Sequence, residues 1–408
     1  MTRADELAQK AAEEGKTAKK PTLSKAERHY AAAQREQKLA QAAVECERAQ
    51  RAYRDGSLRL ARERCERAKG IQKMLRDREG LVDTLLLEAR TCRFLGQAEQ
   101  AVALLAQAAK LSEDDPQRHA RVALNAFLTS LERGVAWQPW LELLRRHHAD
   151  SHEVGCLVLL ADGLDLAARG QLREAHVIFS KLSRDDGIED LRGDLERGFG
   201  QVLLSSGKLE KAKQRFTAAR KWFAARSLLP ELASLRLDSA KLLIEAEKAG
   251  AAITDLEVAM EDFRRYGMTA ATCDACALIV RAALRLERYE RAFTVAGALG
   301  RFEKRHDVES AKARAFIWLA WTAVKKRDRY GACRLSGRGK QIAESLALTE
   351  LQIEARLQAA RVLWATTPRS DACITGKEWA EKAEQDARAM GYLPLARRAA
   401  KALASFRR

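Results

Sequence analysis

The sequence contains 408 residues, of which 47% are hydrophobic and 32% charged, and its formal net charge is +17. This apolar fraction suffices for a folded core, and the charge favours acidic or anionic partners. No run approaches the roughly 18 consecutive apolar residues of a membrane span. Residues 1–24 are rich in Lys, Glu and Ala and lack the apolar stretch of a secretory signal. We therefore expect a disordered basic leader on a cytoplasmic protein.

Beyond residue 24, apolar residues recur at spacings of three and four, whereas alternation with period two is hard to find. Such spacing predicts amphipathic helices rather than strands. The first helix is expected to begin near Ser24, where Glu27 follows three residues later as in a capping box. Four prolines occupy positions that suit a helix end or first turn: Pro116, Pro139, Pro230 and Pro394. The chain is predicted to be all-α.

A short turn followed by an amphipathic helix recurs along the chain. The clearest examples follow Gly56, Gly96, Gly170 and Gly207. Two later units keep the pattern without the glycine, near Glu287 and Asp328, and weaker units turn near Gly134 and Gly250. Successive turns are thus 36 to 43 residues apart. A period of this length predicts a solenoid of helical hairpins.

The unit after Gly207 shows the internal pattern, with bulky Leu209, small Ala212, aromatic Phe216 and small Ala219. Small residues let two helices approach, and large ones fill the groove beside them. This order resembles the second helix of the tetratricopeptide repeat, in a long and irregular bacterial form. The resemblance implies an all-α, right-handed α-solenoid of about eight or nine stacked hairpins that binds proteins.

The solenoid is expected to span residues 25–408, with its clearest repeats at about 40–345 and C-terminal capping helices at 377–408. Residues 366–376 form the longest interior gap in the helical pattern, which predicts a mobile loop. Asn125 is the only asparagine, while Ala and Arg are abundant. This usage is typical of a high-GC bacterial genome.

The chain lacks catalytic and cofactor motifs. The eight cysteines are scattered through apolar patterns, which favours reduced, buried thiols. Cys273 and Cys276 share a helical face without a second such pair, so core packing is favoured over a redox or metal role. His152 and Cys156 lie one helical turn apart and are close enough to share a metal, but a surface turn between helices is favoured. The stretch 336–340 lacks the glycine and hydroxyl of a phosphate loop. We predict no cofactor, no metal and no enzymatic activity.

Charge is concentrated near the C-terminus, where residues 281–408 carry 27 basic and 14 acidic side chains. First-helix residues line the concave groove in tetratricopeptide proteins. By that resemblance, ten positions are predicted to bind a partner: Arg90, Arg93, Phe94, Arg197, Gln201, Arg281, Arg285, Trp318, Thr322 and Lys325.

We expect the partner to be a protein with an acidic, partly apolar segment that contacts Arg281, Arg285, Trp318 and Lys325. In this interpretation the protein is an adaptor or regulatory subunit. The alternative interpretation is a nucleic-acid-associated protein that uses its basic C-terminal third.

Overall fold

The computed structural model describes residues 25–134, 136–147, 151–302, 308–367 and 371–406. The predicted leader at 1–24 and the capping residue Ser24 lie outside these ranges. Within them the chain is helical and contains no strand. The helices are α1 Lys25–Arg54, α2 Leu58–Leu75, α3 Arg78–Phe94, α4 Ala98–Leu111, α5 Pro116–Arg133, α6 Gln138–Arg146, α7 His152–Ala168, α8 Leu172–Leu182, α9 Arg192–Ser205, α10 Leu209–Ala225, α11 Leu229–Glu245, α12 Ala249–Tyr266, α13 Thr269–Arg285, α14 Tyr289–Phe302, α15 Glu309–Lys325, α16 Arg329–Ser345, α17 Thr349–Thr366, α18 Asp371–Ala389 and α19 Leu393–Phe406.

These helices pair into antiparallel hairpins, from α1 with α2 through α17 with α18, and α19 caps the end. Each hairpin also packs on the next, which confirms the predicted solenoid of about nine hairpins. The prolines at 116, 139, 230 and 394 all lie in the first turns of helices, where a missing N–H is tolerated.

The hairpin turns lie close to where the repeat analysis places them. The eight turns predicted from the repeat each contain a residue with positive φ: Gly56, Gly96, Gly134, Gly170, Gly207, Glu247, Glu287 and Arg327. The turn expected at Gly250 is instead formed by Glu247, and Gly250 lies within α12.

The prediction of a mobile loop at residues 366–376 is wrong for most of that segment. Thr366 ends α17, and residues from Asp371 onward belong to α18. A Cβ on Gly376 would lie 3.2 Å from the carbonyl oxygen of Ala360. This glycine therefore allows α18 to pack closely against α17 rather than breaking the helix.

After five hairpins, the helices that follow pack against those of the first five hairpins. Helix α11 packs on α1, α13 on α3, α15 on α5 and α19 on α9. We call α1–α10 the first layer and α11–α19 the second layer. A single buried cluster joins Tyr53 and Phe94 of the first layer to Leu237, Cys276 and Trp318 of the second. The core thus runs between the layers as well as within each hairpin.

The second layer also satisfies carbonyl groups at helix ends of the first layer. The Thr269 hydroxyl donates to the carbonyl of Leu95 at 3.0 Å, and the Ser310 hydroxyl donates to that of Glu132 at 2.7 Å. The backbone N–H of Ala347 donates to the carbonyl of Gly134 at 3.1 Å. The last carbonyl groups of a helix have no hydrogen-bond donor within that helix, and the second layer supplies donors for these three carbonyls of the first layer.

This stacking explains why glycine occupies the turns within the hairpins of the first layer. A Cβ on Gly56 would lie 2.4 Å from the ring of Tyr266, and one on Gly170 would lie 2.9 Å from Met390. The corresponding turns of the second layer contain Glu247, Glu287 and Arg327, which are exposed to solvent. Those residues bear only the conformational cost of positive φ, of about 1–2 kcal/mol.

We expect Gly56→Ala to lower the free energy of unfolding more than Gly391→Ala does. Both glycines have positive φ, but nothing lies within 4 Å of a Cβ built on Gly391. The Gly391 variant should therefore lose only the conformational term of about 1 kcal/mol. The Gly56 variant should lose roughly 1–3 kcal/mol more, because the Tyr266 ring must move. Chemical denaturation measures both, and equal losses would contradict the close contact between layers.

Candidate functional site

The ten predicted positions lie on first helices of their hairpins, namely α3, α9, α13 and α15. The structure gives them unequal surroundings. Phe94, Trp318 and Thr322 are buried, whereas Arg285 and Lys325 are exposed. The remaining arginines and Gln201 are partly buried and contact side chains of the same chain. The chain therefore supplies many of the contacts that a bound segment was expected to make.

The carboxylates that meet these arginines lie on one face of α11. Glu231, Asp238 and Glu245 are spaced seven residues apart, and their side chains are 4%, 2% and 15% exposed. We call these three residues the acidic stripe. Sequence reasoning missed it, although carboxylates repeated at seven residues on an otherwise apolar helix are a readable signal.

Glu231 joins α11 to both first-layer helices that pack near it. Arg90 donates to its carboxylate at 3.0 Å, and the Tyr53 hydroxyl donates to the same oxygen at 2.5 Å. The guanidinium of Arg90 also lies 5.4 Å from the centre of the Tyr53 ring. Arg93 pairs instead with Glu132, at 3.7 Å. A predicted partner-binding arginine is thus already part of an interior ion pair.

Asp238 is the most enclosed member of the acidic stripe. It accepts hydrogen bonds from Arg197 at 2.7 Å and from the Gln201 amide at 3.2 Å. Burial alone would raise the pKa of its carboxyl group, but the charges of Arg197 and Lys241 outweigh burial and hold that pKa below its ordinary value. The group therefore remains ionised inside the protein because its partners are ionised.

Glu245 belongs to a four-membered ring of charges. It pairs with Arg281 and lies 3.8 Å from Arg398, while Glu354 lies 2.9 Å from Arg398 and 4.0 Å from Arg281. These residues come from α11, α13, α17 and α19. Burial would raise the pKa of both carboxyl groups, but the two arginines lower each below its ordinary value. The ring therefore holds four second-layer helices together in the ionised state.

Trp318 was predicted to contact the partner segment. Its side chain is 8% exposed and belongs to the cluster between the layers. The Arg281 guanidinium covers it, with 5.6 Å between its central carbon and the ring centre. In this arrangement Trp318 is a core residue.

A second group of cations lies at the exposed hairpin turns of the second layer. We call these residues the basic rim: Arg285, Arg288, Lys325, Lys326, Arg327 and Arg329. The Lys325 ammonium lies 4.9 Å from the ring centre of Tyr289, which brings the two turns side by side. Tyr330 beside them is 80% exposed.

The basic rim differs from the interior network in what its charges contact. Arg285 pairs with Glu247 at 3.1 Å, but that carboxylate is itself 82% exposed. In the part of the chain that the structure describes, Arg288, Arg327 and Arg329 are exposed and form no ion pair with a carboxylate. Positive charge at the rim is consequently available to a ligand.

The other motifs considered from sequence have structural explanations. Cys273 and Cys276 are fully buried, and burial raises the pKa of both thiols, that of Cys276 to about 11. This confirms their packing in the core. Residues 336–340 lie inside α16, so they form no phosphate loop. None of the helices in the described ranges combines the length and the apolar character that crossing a bilayer requires.

No protein-family model matches the sequence, and no curated protein matches it either. Several solved structures, however, resemble this chain. One is a Rap protein complexed with competence and sporulation factor, with a TM-score of 0.53 and 14% identity over 80% of this chain and 97% of that chain. Another is the APC/C hetero-tetramer Cut9-Hcn1, with a TM-score of 0.55 and 16% identity over 84% of this chain and 62% of that chain. Both are tetratricopeptide-repeat proteins, which confirms that this chain has a tetratricopeptide-like fold.

We expect Glu245→Gln to lower the free energy of unfolding at neutral pH by roughly 2 kcal/mol, because Arg281 and Arg398 lose half of their compensating charge. The pKa of Glu245 is below its ordinary value of 4.5 in the folded protein. Its contribution is therefore present above about pH 4.5 and is lost as the pH falls through the lowered value.

Urea denaturation from neutral pH down to about pH 3 tests this expectation, because the loss takes place below about pH 4.5. The two proteins should become more similar in stability as the pH falls. Exposed Glu290 gives a matched control, since Glu290→Gln should change stability by less than about 0.5 kcal/mol. A constant difference between Glu245→Gln and the unmodified protein at every pH would contradict the ionised ring.

Proposed function

We propose that this protein is a non-catalytic scaffold or regulatory subunit that binds an acidic segment of a partner protein on the basic rim. The observation that carries the proposal is the contrast between the two layers. Hairpin turns of the first layer are covered by the second, but the second-layer turns at Glu287 and Arg327 are exposed and contain the basic rim. A tetratricopeptide-like solenoid with exposed, positively charged hairpin turns supports a role in protein assembly.

The rim includes two of the ten predicted positions, Arg285 and Lys325. Exposed ion pairs contribute only about 0–1 kcal/mol each, so the charges chiefly accelerate encounter and select an acidic partner. Tyr330 offers an exposed aromatic ring that can anchor an apolar side chain of the segment. The eight remaining positions are buried or partly buried, so they are less accessible to a partner than the rim is.

The proposal predicts that reversing the rim charges weakens partner capture. Arg288→Glu combined with Arg327→Glu should reduce the amount of partner retained from a native lysate by about tenfold, equivalent to about 1.4 kcal/mol. The matched control is Lys213→Glu combined with Lys221→Glu, which reverses two exposed charges on α10. Quantitative mass spectrometry of the retained proteins, from lysate with and without nuclease treatment, measures the difference.

Two results would count against this assignment. Equal retention by the rim variant and the α10 control would show that the rim is not the binding surface. Loss of all partners on nuclease treatment would favour nucleic acid, for which the rim cations would be phosphate contacts. Retention that depends on the rim and resists nuclease would support a protein partner.

A further inference from the structure

Three metal-binding side chains meet at the start of α7. His152 and Cys156 are one helical turn apart, and Asp185 follows α8 in the same hairpin. The Nε2 atom of His152 lies 2.9 Å from Oδ1 of Asp185 and 3.9 Å from the Cys156 sulfur. All three ligand atoms lie within 4.8 Å of one another. Sequence analysis considered the first two residues alone, because nothing in the sequence places Asp185 beside them.

These separations suit a zinc ion. Zinc bonds to imidazole nitrogen and carboxylate oxygen at about 2.0–2.2 Å and to thiolate sulfur at about 2.3 Å. In a tetrahedron, ligand atoms at those bond lengths lie about 3.2–3.6 Å apart. The observed separations bracket this range, so small side-chain rotations bring the three atoms onto one ion. The donor set of nitrogen, sulfur and oxygen is also one that zinc accepts.

The three residues differ in solvent exposure: one ligand is fixed in the core, and the other two can be reached from solvent. Cys156 is 2% exposed and belongs to the core, whereas the His152 side chain is 70% exposed and that of Asp185 is 28% exposed. Asp185 also lines an open hollow that contains His176, Ser180 and Lys181. A metal held here would therefore keep one coordination position toward solvent.

We propose that His152, Cys156 and Asp185 bind one zinc ion, with water or a ligand from another molecule in the fourth position. Binding replaces the hydrogen bond between His152 and Asp185 by two bonds to the metal. The imidazole then coordinates through Nε2 as its neutral Nδ1–H tautomer, and the proton that Nε2 carried in the hydrogen bond is exchanged with solvent. The Cys156 thiol loses its proton to solvent and becomes a thiolate, so the two negative ligands neutralise the charge of Zn²⁺. The ion would join α7 to the segment that follows α8.

Cobalt(II) substitution tests this site with a signal that depends on the thiolate. The full-length protein, treated with chelator and then titrated with Co²⁺, should bind one ion per chain and develop a thiolate-to-cobalt charge-transfer band. Cys156→Ser should abolish the band. His152→Ala and Asp185→Asn should each weaken Co²⁺ binding by at least tenfold, and Zn²⁺ should displace the cobalt from the unmodified protein.

Cys333→Ser is the matched control, because it removes a different partly buried thiol near Thr366. It should leave the band unchanged. Circular dichroism verifies folding of each variant, and His152→Ala changes an exposed residue, so a folding defect in Cys156→Ser would not remove the test. The proposal is overturned if the unmodified protein shows no band, or if neither His152→Ala nor Asp185→Asn weakens binding.

Discussion

The fold depends most on the ionic contacts made by the acidic stripe of α11. Glu231, Asp238 and Glu245 meet arginines from α3, α9, α13 and α19, so one helix connects both layers. Burying carboxylates is unfavourable unless cations and hydrogen bonds compensate, and here each carboxylate has them. Removing one partner leaves a charge without compensation, which makes the set of arginines and carboxylates mutually dependent. The network therefore specifies which helices lie side by side more than it adds net stability.

Closure of the superhelix after five hairpins changes how a tetratricopeptide-like array presents its surfaces. An open array offers the concave side of its first helices to a ligand. In this chain the second layer packs against that side of the first, and groups such as Arg197 and Trp318 contact the protein itself. The hairpin turns of the second layer at Glu247, Glu287 and Arg327 remain exposed. The proposed recognition therefore uses the exposed charges of the basic rim rather than charges in the groove.

The residue type at each hairpin turn also depends on whether the other layer packs over that turn. In the hairpin turns of the first layer, glycine occurs where the second layer lies within van der Waals distance, as at Gly56 beside Tyr266. Glu287 and Arg327 occur in the same backbone conformation where no layer covers them. The absence of glycine from the turns of the later repeats thus has a packing cause, and these exposed turns include those at which binding is proposed.

Helical periodicity, proline placement and the spacing of turns determined the all-α fold and the hairpin boundaries, because these depend on contacts within about forty residues. The turn at Arg327 and the buried Cys273 were accessible to such local reasoning. The pairing of Arg90 with Glu231, 141 residues away, was not, and neither was the approach of Asp185 to His152. A repeat pattern specifies how each hairpin packs on the next, but a small rotation accumulated over five hairpins decides which distant helices meet. Only the tertiary structure shows that rotation, and with it which arginines are enclosed and which remain free at the rim.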